Sequence, residues 1–327
     1  MKDPLRHAQG EYYTPRWLAE LWLDEAAYDG APGCRLLDPA CGPGVFLEAA
    51  IARARRWALE HGEPPPETAR RILAEIHGFE RNPASAASAR AAYMAAMGEC
   101  SAGLRPKDVP VRTVDALLNP PQGDPYDLVI GNPPWVRWDY LPEDYRQATM
   151  SLWRRYGLFS LTGFASLSGA AKKDLCMLFT YAAADFFLRE GGMLAFLVTE
   201  EVFKSKGAGE GFRRFRLGEN GPALGVVAAH DFTRLRPFAR VANKAAGIIL
   251  IKGRSTIYPA PYCRWSRDAS GKPVKEMWSA EPVDGAAGPW RTYPAAQPRP
   301  FSGKHSAYQP VLGANANPYG VFWLEVL

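Results

Sequence analysis

Two short stretches of this sequence each join an apolar run to residues that bend or stiffen the backbone. The first runs from Leu36 to Phe46 (LLDPACGPGVF) and the second from Asp127 to Trp135 (DLVIGNPPW). In both, the apolar residues are typical of a buried strand, and glycine or proline follows at once. Open α/β sheets bind their ligands just beyond the carboxyl ends of strands. The sequence therefore predicts two ligand-binding loops on one sheet.

The rest of the chain alternates segments of strand length with segments of helical periodicity. Thr14-Pro15 is typical of a helix start, and another helix is predicted to begin after Asp174 and to end at Gly191-Gly192. The predicted strands are 35–38, 75–80, 109–115, 126–131, 191–199, 224–232 and 245–253. This pattern predicts an α/β fold with a seven-stranded, mostly parallel sheet and helices on both faces.

Composition narrows the classes of function. With 47% hydrophobic residues among 327, the chain can bury one large core. Apolar runs such as 245–251 are far shorter than the roughly 20 residues that a membrane helix needs. The five cysteines form no Cys-x-x-Cys pair and have no histidines at zinc-ligand spacing. We therefore expect a cytoplasmic protein with no membrane contact, disulfide or bound metal, and the lack of a Ser/His/Asp or metal-ligand constellation disfavours hydrolysis.

Basic residues are concentrated in one part of the chain, whose overall net charge is +5. Residues 201–254 contain eleven Lys or Arg and four acidic residues. Such a segment would gain from binding a polyanion, since its cations neutralise phosphates and release counterions. A solvated basic surface explains the excess equally well. Residues 136–172 interleave Arg with Trp and Tyr, which favours nucleic-acid contact only slightly over a packed helical insertion.

The order and content of the two stretches resemble the adenine-N6 DNA methyltransferases of the γ group, in which a cofactor loop precedes an Asn-Pro-Pro-aromatic motif. The resemblance covers roughly residues 10–254. It implies the Rossmann-like methyltransferase fold, S-adenosylmethionine as cofactor and double-stranded DNA as partner. We accordingly expect a catalytic domain over 1–254 with a helical insertion at about 136–172. Residues 255–327 are expected to begin a DNA-recognition region that is incomplete or covered by a specificity or other defence-system subunit.

The first stretch is interpreted as the cofactor loop. Gly42 and Gly44 let the backbone come close to a ligand, and the amides that open the following helix can receive a carboxylate. Asp38 is placed to meet the ammonium of the methionine part, and Glu80 to accept from both ribose hydroxyls. By resemblance, Asp115 faces the exocyclic amine of the adenosyl group and Thr14 helps to seat the methionine carboxylate. Each acid is equally consistent with a helix cap. The predicted cofactor set is Thr14, Asp38, Ala40, Gly42, Gly44, Glu80, Asp115 and Asn132.

The second stretch carries the predicted reaction. An adenine amine is a poor nucleophile because its lone pair is delocalised into the ring. The Asn132 side chain and the Pro133 carbonyl can accept the two amine protons and localise that lone pair, while Pro133 and Pro134 fix the backbone. Trp135, where the family most often has tyrosine, offers a face on which a flipped-out base can stack. The resemblance places Phe238 on the opposite face of the base, although a core or loop phenylalanine is nearly as plausible.

The predicted function is transfer of a methyl group to adenine N6 in DNA, within a restriction-modification or phage-defence system. The same Asn-Pro-Pro-aromatic geometry can hold the exocyclic amine of guanine in RNA, cytosine N4 or a glutamine amide in a protein. A non-catalytic DNA-binding subunit is an alternative of another class. The DNA recognition sequence, the oligomeric state and the particular defence system are not predictable from these motifs.

Overall fold

The computed structural model describes residues 13–158, 173–205, 208–238, 244–296, 308–312 and 322–326. The chain divides into two units, residues 1–292 and 293–327. In the second unit the strands Tyr308–Leu312 and Phe322–Val326 pair antiparallel. None of the helices within the described ranges is both long and apolar enough to cross a lipid bilayer.

One mixed sheet organises the described part of the first unit. Its strands are β1 (Leu36–Asp38), β2 (Ile76–Glu80), β3 (Val111–Thr113), β4 (Tyr126–Gly131), β5 (Leu188–Thr199), β6 (Leu224–Asp231), β7 (Ala245–Lys252), β8 (Ala260–Arg267), β9 (Pro273–Pro282) and β10 (Trp290–Pro294). Their order is β10-β9-β8-β6-β7-β5-β4-β1-β2-β3. Strands β1 to β5 are mutually parallel, and β7 runs antiparallel between β5 and β6. The order reverses between β1 and β4, which is where doubly wound sheets bind ligands.

Helices connect and cover these strands. They are α1 (Arg16–Glu25), α2 (Val45–Glu60), α3 (Pro65–Glu75), α4 (Pro83–Met97), α5 (Glu143–Arg155), α6 (Leu175–Phe186), α7 (Glu201–Lys204) and α8 (Ala208–Phe212). Local chemistry sets their starts. The Asn82 side chain accepts from the amides of Ala84 and Ser85 to cap α4, and the Asp174 side chain accepts from the amide of Cys176 to cap α6.

Helix α1 is fixed to the sheet by one large side chain. Trp22 is fully buried and its indole N–H donates to the Ala195 carbonyl of β5 at 2.9 Å. A Cβ on Gly247 of β7 would lie 2.2 Å from the Trp22 ring, so only glycine fits at that position. The contact holds the start of α1, and with it Thr14, beside the main sheet.

All seven predicted strands are present, but the predicted strand number was wrong because the sheet has ten. Strand β8 pairs parallel with β6 and antiparallel with β9, so the sheet continues beyond residue 254. Pro, Trp and Tyr in this region lack helical periodicity, yet Ala260 and Tyr262 alternate with the exposed Pro261 as a half-covered strand requires. The first compact unit runs to Thr292, and the predicted division of the chain at residue 254 stays a prediction.

One of the two helical predictions differs in detail. Helix α6 ends at Phe186, and Gly191-Gly192 lie inside β5 instead of terminating the helix. The predicted insertion at 136–172 contains α5, while its residues 159–172 lie outside the described ranges.

Candidate active site

The loop that follows β1 has a conformation that requires glycine twice. Gly42 has φ +52° and Gly44 has φ +101°, in the left-handed region. Gly44 occupies the N-cap position of α2, and a Cβ there would lie 3.2 Å from the Ala89 Cα of α4. The tight turn from β1 to α2 therefore depends on the absence of a side chain at Gly42 and Gly44.

Glu80 ties this loop to the end of β2. One of its carboxylate oxygens accepts from the Gly42 amide at 2.9 Å, and the other accepts from the Asn82 amide at 2.6 Å. The carboxylate is thus held in place by two backbone donors from two different loops. These two hydrogen bonds fix the carboxylate next to the Gly42 amide.

The predicted catalytic motif begins where β4 closely approaches the end of β1. A Cβ on Gly131 would lie 2.5 Å from Asp38 Oδ1, so glycine is the residue that allows this approach. The next residue, Asn132, donates from Nδ2 to Thr14 Oγ1 at 3.2 Å. With its nitrogen turned to Thr14, the amide presents its oxygen on the other side of the group. The N-terminal and catalytic motifs, 118 residues apart, therefore meet.

Most of the predicted site residues line one cavity of about 580 Å³, a size within the range of cofactor sites. Gly44, Pro133, Trp135 and Phe238 are not among its lining residues. The predicted residues that line the cavity are Thr14, Asp38, Ala40, Gly42, Glu80, Asp115, Asn132 and Pro134. The two loops predicted from sequence thus face a common space.

The predicted stacking residues are in contact with each other. The rings of Trp135 and Phe238 lie edge to face, with centroids 5.1 Å apart and planes at 79°. Trp135 is 3% exposed and Phe238 is 9% exposed. The Trp135 indole N–H donates to the Leu197 carbonyl of β5 at 3.3 Å. This arrangement differs from the predicted one, in which the two rings lie on opposite faces of a base.

Comparison with known proteins assigns the family. The sequence model described as N-6 DNA Methylase matches residues 5–228. This chain belongs to the N-6 DNA methylase family. The sheet is accordingly the Rossmann-like methyltransferase fold expected from the motifs.

Two members of the wider group are similar in sequence. The type II methyltransferase M.XhoI of Xanthomonas vasicola is 28% identical over 208 residues, covering 62% of this chain and 35% of that protein. The type II methyltransferase M.BstVI of Geobacillus stearothermophilus is 26% identical over 171 residues, covering 46% of this chain and 29% of that protein. The chain therefore spans about a third of the length of either relative.

Solved structures share the fold of this N-6 DNA methylase family member. A nuclease-deletion mutant of the type ISP restriction-modification enzyme LlaGI, in complex with a DNA substrate mimic, has a TM-score of 0.58 at 15% identity. That match covers 78% of this chain and 24% of LlaGI. The M protein of the type I restriction enzyme EcoKI has a TM-score of 0.54 at 16% identity, covering 80% of this chain and 50% of the M protein.

The carboxyl group of Asp38, in the predicted cofactor loop, has a strongly shifted pKa. Its residue is 1% exposed, and burial raises the pKa of Asp38 to about 8. The Ala40 amide, which donates to Asp38 Oδ1 at 3.1 Å, opposes this shift, while the charge of Glu80 adds to it. At neutral pH the carboxyl group is therefore mostly protonated, and an adjacent cation would favour the carboxylate.

The sequence left open whether Asp115 contacts the cofactor or caps a helix. One carboxylate oxygen accepts from the amides of Leu117 and Leu118 at 2.9 and 3.0 Å, which is capping geometry. The other oxygen lies 3.8 Å from the Arg81 guanidinium. Burial, with the negative charge of Asp115 beside it, raises the pKa of the Tyr145 hydroxyl. The capping interaction and a place in the cavity wall are thus both present in one residue.

Sequence reasoning missed part of the cavity wall. Tyr145 on α5 lines the cavity beside Asp115, and the Arg81 guanidinium lies over its ring at 5.1 Å from the centroid. Tyr145 belongs to the aromatic residues of 136–172, which the sequence interpreted as nucleic-acid contact only slightly in preference to a packed helical insertion. Arg81 directly follows Glu80 and carried no motif signal. Only the tertiary contacts of Tyr145 and Arg81 with Asp115 could have identified the pair.

Proposed function

We propose that this chain transfers a methyl group from S-adenosylmethionine to the N6 amine of an adenine in DNA. The observation that carries the proposal is the shared cavity, in which Asn132 of the catalytic motif and the Asp38–Gly44 loop face the same space. The family assignment supports the same reaction class. Because the relatives are much longer than this chain, the activity of the whole protein is part of the proposal.

The donor set of the cavity fits the proposed cofactor. Asp38 would receive the ammonium of the methionine part, since no cationic side chain of the described residues pairs with its buried carboxyl and that charge would stabilise the anion. Glu80, held by two backbone amides, would accept from the ribose hydroxyls. The backbone of Ala40, Gly42 and Gly44 would border the cofactor, and Asp115 would accept a hydrogen bond from the adenine amine of the cofactor. S-adenosylmethionine, when bound, supplies an electrophilic methyl group.

On the acceptor side, the residues of the catalytic motif would prepare the nucleophile. The Asn132 amide oxygen, directed by the hydrogen bond from Nδ2 to Thr14, and the Pro133 carbonyl would accept the two N6 protons. The nitrogen lone pair would then point at the methyl group, and the methylated nitrogen would release one proton. Pro133 and Pro134 would keep these acceptors from turning away. For a base to stack on both Trp135 and Phe238, their present edge-to-face contact would have to open.

The biological setting is proposed by analogy with the relatives. The sequence relatives are type II methyltransferases, and the similar structures belong to restriction-modification enzymes. We therefore propose a cytoplasmic restriction-modification or phage-defence role on double-stranded DNA. Residues 255–327 would contribute to target recognition, either alone or with a specificity subunit.

The proposal is tested by sequencing DNA from cells that express the full chain. Single-molecule sequencing should detect N6-methyladenine at a defined sequence, and Asn132→Ala should abolish this mark because the N6 protons lose an acceptor. Asn119→Ala, an exposed asparagine outside the cavity, is the matched control and should retain it. Calorimetry with S-adenosylhomocysteine tests cofactor binding separately.

Two outcomes would contradict the proposal. One is an adenine mark that persists undiminished in Asn132→Ala, and the other is the absence of any mark with the unaltered chain. An Asn132-dependent methyl group found on RNA, on cytosine N4 or on protein would replace the adenine acceptor by one of those alternatives. A cellular defence phenotype that survives Asn132→Ala would favour a non-catalytic DNA-binding subunit.

A further inference from the structure

The basic residues between 201 and 254 do not form a uniform surface. Lys206 and Arg240 lie outside the described residues. Five others already have partners. Lys204 and Lys244 form ion pairs with Glu200. The buried Arg213, together with Arg216 and Lys252, donates hydrogen bonds to backbone carbonyls. Within the described ranges, no carboxylate or carbonyl pairs with the side chains of Arg214, Arg234, Arg236 and Arg254. The charge excess thus resolves into a few available cations.

Two of these cations belong to a loop that contacts the Asn-Pro-Pro-aromatic motif through Phe238. Arg234 and Arg236 belong to residues 232–238, here called the arginine loop, which follows the end of β6. Both arginines are exposed, whereas Leu235 between them is 2% exposed. The loop ends at Phe238, whose ring packs on Trp135 at a centroid distance of 5.1 Å. The loop is therefore anchored on the motif that is proposed to hold the target base.

The backbone of the arginine loop is fixed in an unusual conformation. Arg236 has φ +47°, in the left-handed region that residues with a side chain rarely adopt. Its amide donates to the Phe232 carbonyl at 2.9 Å, and the Thr233 amide donates to Asp231 Oδ1 at 2.8 Å. Buried neighbours on either side hold the turn in place. Such conformations persist only where the surrounding structure determines them, and they are concentrated at functional sites.

We propose that Arg234 and Arg236 bind the phosphates of the DNA strand that carries the target adenine. This inference rests on the proposed function and names the surface that holds its substrate. A guanidinium binds phosphate oxygens through paired N–H donors, and one without a carboxylate partner gives up no ion pair to do so. A nucleotide leaves the duplex by rotation about its backbone, so phosphates held next to Trp135 would position that rotation.

The test is the salt dependence of duplex DNA binding by the full chain. The slope of log Kobs against log salt decreases in magnitude by about 0.9 for each phosphate that the protein no longer neutralises. We expect Arg234→Ala and Arg236→Ala each to reduce the magnitude of the slope by about one, and the double variant by about two. Arg236→Lys should keep most of the slope, because it keeps the charge.

Arg254→Ala is the matched control. Arg254 is also exposed, but it follows the end of β7. Because β7 is antiparallel to β6, the end of β7 lies beside the start of β6, away from the arginine loop. We expect its slope to equal that of the unaltered chain. Thermal unfolding and S-adenosylhomocysteine binding, measured on every variant, should be unchanged because no arginine of the loop lines the cofactor cavity.

Unchanged slopes for both loop variants, or an equal decrease for Arg254→Ala, would overturn the inference in favour of diffuse attraction. An unaltered chain that binds no duplex DNA would overturn it as well. The proposed reaction can fail independently. If the slopes decrease as expected while no Asn132-dependent adenine mark is found, the phosphate-binding surface stands and the methylation proposal does not.

Discussion

The predicted binding surfaces for the methyl donor and for the target base, here called the donor side and the acceptor side, are constructed in different ways. The donor side consists of the Asp38–Gly44 loop and Glu80, whose positions are fixed by backbone hydrogen bonds and left-handed glycines. The acceptor side consists of Trp135 and Phe238, two buried rings in edge-to-face contact with each other. One side therefore has its binding geometry in place, and the other side has its aromatic residues packed as a core.

This difference predicts which of the two sides loses free energy by rearranging when its ligand binds. A preformed donor side loses little conformational freedom when a cofactor binds. An acceptor side that must separate Trp135 from Phe238 loses their mutual interaction, which for aromatic pairs is worth about 0.5–1.5 kcal/mol beyond burial. The stacking energy of an incoming base, about 1–3 kcal/mol, can offset this loss. Substitutions on the donor side should then change cofactor affinity, and substitutions on the acceptor side should change the rate of transfer.

The largest expected effect tests the acceptor side. Trp135→Ala should lower the single-turnover rate of methyl transfer about 100-fold, because it removes the ring that would stack on the base. The Kd of S-adenosylhomocysteine should stay within about threefold, because Trp135 does not line the cavity. Rapid-quench kinetics and calorimetry measure the two quantities.

Because Trp135 is buried, its removal also risks a loss of stability. Trp135→Phe keeps an aromatic face and should recover most of the rate while losing the hydrogen bond to Leu197. A rate that falls equally in both variants would assign Trp135 a packing role only. A large change in cofactor Kd would contradict the separation of the two sides.

The donor side could be predicted from the sequence because its geometry is local. A glycine-rich turn between a strand and a helix has few conformations, and Gly42 and Gly44 adopt the left-handed ones. Parallel strand order then brings Glu80 to the same edge. Short-range rules of this kind placed Asp38, Gly42 and Glu80 in one cavity, while their cofactor roles remain predictions.

The acceptor side could not be predicted in the same way, because Trp135 and Phe238 meet through packing between distant segments. The same limit applies to Tyr145, which α5 contributes to the cavity wall beside Asp115. Strands β8 to β10 were missed for a related reason. Their alternation is set by a neighbouring strand, β6, that the sequence pattern alone does not identify.

A second prediction concerns how far the buried Asp38 carboxyl lowers the free energy of unfolding when no cofactor is bound. The folded-state pKa of Asp38, about 8, exceeds the unfolded value of about 3.9. The folded state therefore holds the proton more tightly, so stability falls as pH rises through this window. Between pH 6 and 8 the loss attributable to Asp38 is about 2 kcal/mol. Urea unfolding of the chain and of Asp38→Asn at both pH values should show their difference in unfolding free energy changing by that amount.

The sign of this change is the decisive feature. Asp38→Asn should gain stability relative to the unaltered chain as pH increases, and should lose affinity for S-adenosylhomocysteine at every pH. Glu60→Gln, which replaces an exposed acid at the end of α2, should show no such pH-dependent difference. A constant difference between Asp38→Asn and the unaltered chain would mean that Asp38 ionises normally in the folded state.

The smallest expected effect concerns specificity within the donor side. Tyr145 and Arg81 border the Asp115 oxygen that is not engaged by the Leu117 and Leu118 amides. We expect Tyr145 to hold this oxygen toward the cofactor's adenine amine. Tyr145→Phe should then lower the preference for S-adenosylhomocysteine over S-inosylhomocysteine, which has an oxo group in place of the amine, about fivefold. Calorimetry with both ligands measures the ratio.

Helix α5 supplies a matched control at its other end. Tyr156 donates to Asp185 at 2.8 Å, and the Arg155 guanidinium lies 2.6 Å from the same carboxylate and 5.6 Å from the Tyr156 ring centroid. This trio repeats the chemistry of Tyr145, Asp115 and Arg81 but does not line the cavity. Tyr156→Phe should reduce thermal stability and leave the ligand ratio unchanged. If both variants lower the ratio equally, Tyr145 acts through the stability of α5, and if neither does, the adenine amine is recognised without it.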